Sequence, residues 1–166
     1  MLLDEQENER LEQRGRSGAN WFYWIGGLSL VNSVVQFFDS EQGFIIGLGI
    51  TQIIDGFAKG IGEAAGGGAA GTVRGIGLGL DLVVAGFFVL LGREANDRRA
   101  WAFVLGMLIY AFDGLIFLAA GAWLNLGFHA FALFAIWSGY SSVRELQEKE
   151  LRSAVGSSEP AAPEGR

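Results

Sequence analysis

Three ionisable side chains lie inside otherwise apolar stretches of the chain, and these residues are the best candidates for chemistry. Asp81, Asp113 and His129 each lie twelve residues from a polar or aromatic boundary. At about 1.5 Å of rise per helical residue, all three are expected roughly 18 Å from one membrane boundary and therefore at one level. An uncompensated charge at a bilayer centre costs at least about 2.5 kcal/mol, so we expect a partner or a function for each.

The last two apolar stretches are expected to form a tight hairpin that brings two of these residues together. Asp113 and His129 each lie eight residues from Gly121, the expected centre of the turn. Tyr110 shares the face of Asp113, and Asn125 shares the face of His129, because residues three or four apart are neighbours on a helix. We therefore predict an intramembrane polar network of five residues: Asp81, Asp113, His129, Tyr110 and Asn125.

This network has two main interpretations, and a third stays open. In the structural interpretation, Asp113 accepts a hydrogen bond from His129, and the pair fastens the hairpin. In the functional interpretation, Asp81 and Asp113 form a proton or cation relay with His129, because an imidazole exchanges protons near neutral pH. The third possibility is that the three side chains line water independently of one another.

A second polar patch runs along the first two apolar segments. Its members recur mostly every three or four residues, which places them on one face of each helix. Such stripes more often form interhelical hydrogen bonds than line a pathway. The patch comprises Asn32, Gln36, Thr51, Gln52, Asp55 and Lys59.

The elements that must position these residues are five apolar segments of about 18 to 20 residues each. Each is long enough, or nearly so, to cross a hydrocarbon core of about 30 Å as a helix. The segments lack the alternation of barrel strands, and lipid offers the backbone no hydrogen-bond partner. We therefore predict an all-α, small polytopic membrane helix bundle with the lipid bilayer as its partner. The segments are residues 21–38, 43–61, 72–91, 101–119 and 123–140.

The basic residues near the segments predict the orientation. Arginine and lysine occur in both tails and in the 93–99 loop, but not in the connections at 39–42 and 119–122. Since positive loops stay in the cytoplasm, both tails, including the C-terminus, are expected there. Five crossings cannot put both tails on one side. We favour four crossings with 43–61 as a re-entrant or interfacial helix, and the alternative is five crossings with the N-terminal tail exported.

The distribution of charge also divides the chain into regions. Residues 1–20 form a polar, acidic N-terminal tail, and residues 21–140 form the transmembrane bundle. Residues 141–152 are expected to continue the last helix into the cytoplasm, supported by pairs of opposite charge four residues apart. Residues 153–166, which contain both prolines, are predicted to be a disordered tail.

Composition excludes several functional classes. The 166 residues include no cysteine and one histidine, and the net charge is −6. Thiol chemistry and disulfides are therefore excluded, and a nucleic-acid partner is not expected. The motifs of hydrolases, zinc peptidases and phosphate-binding loops are absent from the sequence. We expect no enzyme, no cofactor and no metal.

Glycine is abundant, with 26 residues, and four glycines share one face of the third segment. A stripe of small residues lets another helix approach closely, so we expect helix packing and either a homo-oligomer or a subunit of a membrane complex. The leading functional hypothesis is a structural or interaction role. The alternative is a proton- or cation-coupled small-solute transporter or channel. The stripe consists of Gly71, Gly75, Gly79 and Gly86.

Four stretches of the sequence carry a resemblance to known proteins: residues 17–33, 47–56, 98–118 and 128–140, which include GLGITQIIDG and FHAFALFAIWSGY. Together they resemble a group of small multi-pass inner-membrane proteins of bacteria with no assigned activity. The resemblance implies a bacterial origin, an inner-membrane location and a helical fold. It implies no catalytic residue and no substrate.

Overall fold

Five α-helices make up the part of the chain that the computed structural model describes, which is residues 2–37, 48–65 and 68–158. Within these ranges no strand occurs, and the predicted all-α class is confirmed. The helices are α1 (Leu2–Phe37), α2 (Gly49–Ala65), α3 (Gly68–Asn96), α4 (Ala100–Ala119) and α5 (Trp123–Ser158).

Helix α1 runs antiparallel to both α3 and α5. The side-chain amide of Asn96 on α3 donates to that of Asn20 over 3.3 Å. On the other side, Gly18 meets Gly139 of α5 so closely that a methyl group on Gly18 would lie 2.6 Å from the Gly139 Cα. Two glycines are therefore required where the backbones of α1 and α5 cross.

The beginning of α1, the turn between α3 and α4 and the end of α5 lie at the same end of the bundle. Arg98 in the turn forms ion pairs with Glu12 of α1 and, over 2.9 Å, with Glu150 of α5. Lys149 lies 2.7 Å from Glu7. These contacts join three segments that are far apart in the sequence.

Packing at this end explains why the chain is helical further out than the sequence suggested. Residues 2–20, expected as a polar tail, belong to α1, and residues 153–158 of the expected disordered tail belong to α5. Leu11 and Leu146 are buried there, so each tail covers an apolar side chain in addition to its ion pairs. The remainder of the expected disordered tail, 159–166, lies outside the described residues.

The turn between α4 and α5 is the tight hairpin that the sequence predicts. Gly121 has a φ of +68°, a left-handed conformation that glycine adopts without steric cost. Its N–H donates to Leu118 O, and the N–H of Ala122 donates to Phe117 O, which satisfies carbonyls at the end of α4. The position of Gly121 at the hairpin centre is confirmed.

The expected glycine packing face meets no other helix among the described residues. A Cβ built on any of its four glycines would meet no atom within 4 Å, apart from its own chain neighbours and helix backbone. The close approach of α3 to α2 occurs instead at Gly77, opposite Ala58. The spacing predicts the shared face, and packing of a second copy or another subunit against it stays a prediction. The open glycines are Gly71, Gly75, Gly79 and Gly86.

Two of the helices are long and apolar enough to cross a membrane. They are the segments Gly71–Asn96 and Ala100–Ala119, and less than two fifths of the apolar window in each is buried inside the chain. Large apolar side chains such as Val83, Phe112 and Leu115 are exposed on them. The coarse expectation of membrane helices is therefore weakly supported by these two elements.

Candidate functional site

Asp113 and His129 form a buried hydrogen-bonded pair between α4 and α5. Nε2 of His129 lies 2.9 Å from Oδ2 of Asp113, and both side chains are almost fully excluded from solvent. The equal spacing from Gly121 therefore identified a pair of true neighbours. This contact is the one that the structural interpretation of the network requires.

Asp113 also binds the beginning of α2, a contact that the sequence did not reveal. Its Oδ2 accepts the backbone N–H of Gly49 over 2.8 Å, and its Oδ1 accepts that of Ile50 over 2.9 Å. The first N–H groups of a helix have no partner within the helix and carry a partial positive charge, which a carboxylate complements. Asp113 thus serves as the N-terminal cap of a helix more than sixty residues away.

Two further groups at this helix start are also paired. The N–H of Leu48 donates to Oγ of Ser29 over 3.0 Å, and Oγ1 of Thr51 donates to the Leu48 carbonyl over 2.8 Å. Leu48, Thr51 and Ser29 are all buried. Helix α2 therefore begins inside the bundle, where side chains of α1 and α4 bind the backbone N–H groups of Leu48, Gly49 and Ile50.

The imidazole of His129 is fixed by three further contacts. Nδ1 lies 2.9 Å from the backbone carbonyl of Asn125, so Nδ1 carries a proton and donates it. Tyr110 stacks on the imidazole with ring centroids 4.2 Å apart and planes at 13°, and the Phe117 ring lies 5.0 Å from it at a tilt of 51°. Tyr110 and Asn125 are thus neighbours of His129 as expected, and they contact it through a ring stack and a backbone carbonyl.

We refer to Asp113, His129 and the first turn of α2 as the α2 clasp. Because Nδ1 donates to a carbonyl, one further proton lies in the hydrogen bond between Nε2 of His129 and Oδ2 of Asp113. Two aromatic rings pack against the imidazole, and both carboxyl oxygens of Asp113 have partners. A fully satisfied buried network of this kind rigidifies the structure around it.

Asp81 is located in a different group, between α1, α2 and α3. Its side chain is fully buried and faces Asp55 of α2 and Ser33 of α1. Neither oxygen of Asp81 has a hydrogen-bond partner among the described residues, and the same holds for Oδ2 of Asp55 and Oγ of Ser33. We refer to these three residues as the Asp55–Asp81 site.

The structure therefore divides the predicted five-residue network. Asp113 and Ser29 lie at the same level of the bundle, because both bind backbone N–H groups at the start of α2. Asp81 faces Ser33, which is one helical turn, or about 6 Å, further along α1. Counting residues from a membrane boundary fixes approximate depth only, and it does not fix the rotation of a helix. Asp81 consequently faces α2 rather than the hairpin of α4 and α5.

The second predicted patch is also divided. Asp55 joins Asp81, Thr51 bonds its own helix, Gln52 is half-buried, and Lys59 lies on the exposed side of α2. Asn32 is fully buried, and both atoms of its side-chain amide have no hydrogen-bond partner within the described ranges. Gln36 belongs to α1, but its side chain lies outside the described residues.

The chemistry available at the Asp55–Asp81 site is that of oxygen ligands. Two carboxyl groups and a hydroxyl group from three helices converge there. Among residues 2–37, 48–65 and 68–158, no group of three or more His, Asp or Glu side chains could hold a metal ion. The carboxyl and hydroxyl oxygens of the site can exchange protons or bind a small cation that prefers oxygen ligands.

Comparison of the chain with protein-family models, with curated proteins and with solved structures finds no match in any of the three.

Proposed function

We propose that the chain is a multi-pass inner-membrane protein of bacteria that moves protons or small cations across the lipid bilayer, as a cation-coupled small-solute transporter or a channel. In this proposal α1, α3, α4 and α5 cross the membrane, and α2 is re-entrant. Both tails are in the cytoplasm, and the C-terminus lies on the same side as the turn at 97–99.

Two structural features support four crossings. The start of α1, the α3–α4 turn and the end of α5 are held together by the ion pairs of Arg98 and Lys149, as expected if they share one side of the membrane. Helix α2 starts inside the bundle, where Asp113 and Ser29 satisfy its backbone. Helix starts at membrane depth are tolerated only where protein covers them, and Leu48 is fully buried.

The single observation that carries the functional proposal is the unpaired state of Asp81. A buried carboxylate with no hydrogen bond costs several kcal/mol, so a chain that needed only to pack would gain from an apolar residue at this position. Ionisable residues inside membrane helices that are retained at such a cost usually mark ion or proton pathways.

The α2 clasp has a different role in this proposal. Its carboxylate is satisfied by Gly49, Ile50 and His129, so it anchors α2 and is not the group that exchanges its ligand. Helix α2 is thus anchored at its start inside the bundle and carries Asp55 to the side of Asp81, and helices that begin at membrane depth often form ion sites in transporters. The transport function is therefore assigned to the Asp55–Asp81 site.

Ion flux into proteoliposomes tests the proposal. The purified full chain is reconstituted, and proton and sodium uptake are followed after a pH or sodium gradient is imposed. We expect Asp81→Asn to reduce uptake at least tenfold while leaving the protein folded, because the amide cannot carry the charge that the carboxylate exchanges. Asp97→Asn, a change at the exposed α3–α4 turn, is the matched control and should leave uptake unchanged. Equal uptake by all three proteins and by empty liposomes would contradict the proposal.

A structural or interaction role is the second candidate, and the open glycine face of α3 favours it. Nothing within the described chain fills the space over Gly71, Gly75, Gly79 or Gly86. A second copy or another membrane subunit could pack closely there. Gly79→Leu would then lower the oligomer mass measured in mild detergent, and an unchanged mass would argue against this candidate.

A further inference from the structure

We propose that the Asp55–Asp81 site holds one monovalent cation, a proton or a sodium ion, between α1, α2 and α3. The inference rests on the proposed transport function and names the ligand of that same site. The ligand is shared by the two carboxyl groups, and the Ser33 hydroxyl supplies a third oxygen.

Side-chain oxygens of all three residues of the Asp55–Asp81 site are buried without hydrogen-bond partners among the described residues. Asp81 and Ser33 are each fully buried, and neither has a hydrogen-bond partner among the described residues for its side-chain oxygens. Buried polar side chains in folded proteins nearly always have a partner, and oxygens of these three adjacent residues meet no described partner at hydrogen-bond geometry, which favours a bound species between them. The hydroxyl of Ser33 is a separate observation from the two carboxylates and faces the same space.

The two carboxyl groups of the site, on Asp55 and Asp81, lie next to each other. Two ionised carboxylates next to each other in a buried position repel, and neighbouring carboxyl groups of this kind characteristically share one proton. A sodium ion between them reduces the charge by the same amount.

The number and kind of oxygen ligands at the site indicate which cation it can hold. Divalent calcium takes six to eight oxygen ligands, and transition metals prefer imidazole or thiolate. The site offers two carboxyl groups and one hydroxyl, and no histidine from the described helices joins it. A single positive charge that needs few ligands fits this set best.

Helix α2 provides the way in and out. The side chain of Asp81 is fully buried, whereas that of Asp55, on α2, is half-buried. Asp55 is one turn beyond Thr51 and lies on the helix that the α2 clasp anchors at its start. A cation can therefore reach Asp55 first and then bridge to Asp81.

Two measurements on the purified full chain distinguish the two possible cations. Infrared difference spectroscopy across a pH titration detects the C=O stretch of a carboxylic acid. If the ligand is a proton, wild type shows this band near neutral pH, and Asp55→Asn and Asp81→Asn each abolish it. If the ligand is sodium, each tenfold rise in sodium above its Kd raises the melting temperature by about 4 °C, at constant ionic strength set with a bulky organic cation.

Asp97→Asn is the matched control in both measurements and should behave as wild type. Wild type that shows neither the band nor the sodium effect overturns the inference, and this outcome does not depend on how well the variants fold. Flux without either signal would retain the proposed transport and remove this site from it. Either signal without flux would retain the site and remove the transport.

Discussion

The Asp113 carboxylate lies 2.9 Å from Nε2 of His129 while it accepts two backbone N–H groups at the start of α2. One side chain therefore joins three helices. Asp113 links α4 to α5 through His129, and it links both helices to the start of α2, which lies inside the bundle.

Removing either partner of this pair should destabilise the protein by a similar amount. Asp113→Ala leaves two helix N–H groups and Nε2 of His129 without their partner, and the loss of one member of a buried, hydrogen-bonded pair of this kind costs roughly 3–5 kcal/mol. Thermal unfolding in detergent, followed by tryptophan fluorescence, measures the change for Asp113→Ala, His129→Ala and the double variant.

The double variant is the decisive comparison. Because the two residues are in contact, its destabilisation should be smaller than the sum of the two single effects by more than about 1 kcal/mol. Strict additivity would show that Asp113 and His129 act independently.

Tyr110 should matter for its ring and not for its hydroxyl. Tyr110→Phe retains the stack on His129 and should unfold near the wild-type temperature. Tyr110→Ala removes a fully buried ring and should cost roughly 3–5 kcal/mol. Loss of flux in a folded Tyr110→Phe variant would instead assign the hydroxyl to the pathway.

Close packing of α1 against α5 depends on the glycines where they cross. Gly18→Ala places a methyl group 2.6 Å from the backbone of Gly139, so the helices must separate, and we expect a lower melting temperature. Gly79→Ala adds the same methyl group in open space and should be neutral or stabilising by up to about 1 kcal/mol, because alanine favours helix. Equal effects in the two variants would contradict the observed packing.

The backbone strain at Arg98 should affect the free energy of unfolding more than its ion pairs do. It has a φ of +59°, which costs roughly 1–2 kcal/mol for a residue with a Cβ, while its exposed ion pairs are each worth at most about 1 kcal/mol. Arg98→Gly should therefore be more stable than Arg98→Ala. Both variants should show faster hydrogen exchange near Glu12 and Glu150, and unchanged exchange there would remove any role for these ion pairs.

The sequence predicts those parts of the structure that depend on local order. The apolar segments indicated helices, and the equal spacing of Asp113 and His129 from Gly121 identified their contact, because a tight hairpin fixes which residues face each other. The cap on α2 could not be found in this way. It joins residues more than sixty positions apart, and no local pattern marks the acceptor.

Asp81 shows the limit of arguing from depth alone. Its distance from the boundary suggested a shared level with Asp113, but the rotation of α3 turns it toward Asp55. The i, i+4 spacing of Thr51 and Asp55 did place both on one side of α2. Their separate partners, the α2 backbone and Asp81, depend on how α1 and α3 pack against that side.

Side-specific labelling of single cysteines tests the re-entrant arrangement most directly, since the chain has no native cysteine. Asp4→Cys, Glu63→Cys, Asp97→Cys, Ala120→Cys and Ser153→Cys are each treated in intact cells with a maleimide that cannot cross the inner membrane. We expect labelling of the Glu63 and Ala120 variants in intact cells, and of the other three only after lysis. Labelling of the Asp4 variant from outside, together with a protected Ser153 variant, would show five crossings and contradict the account.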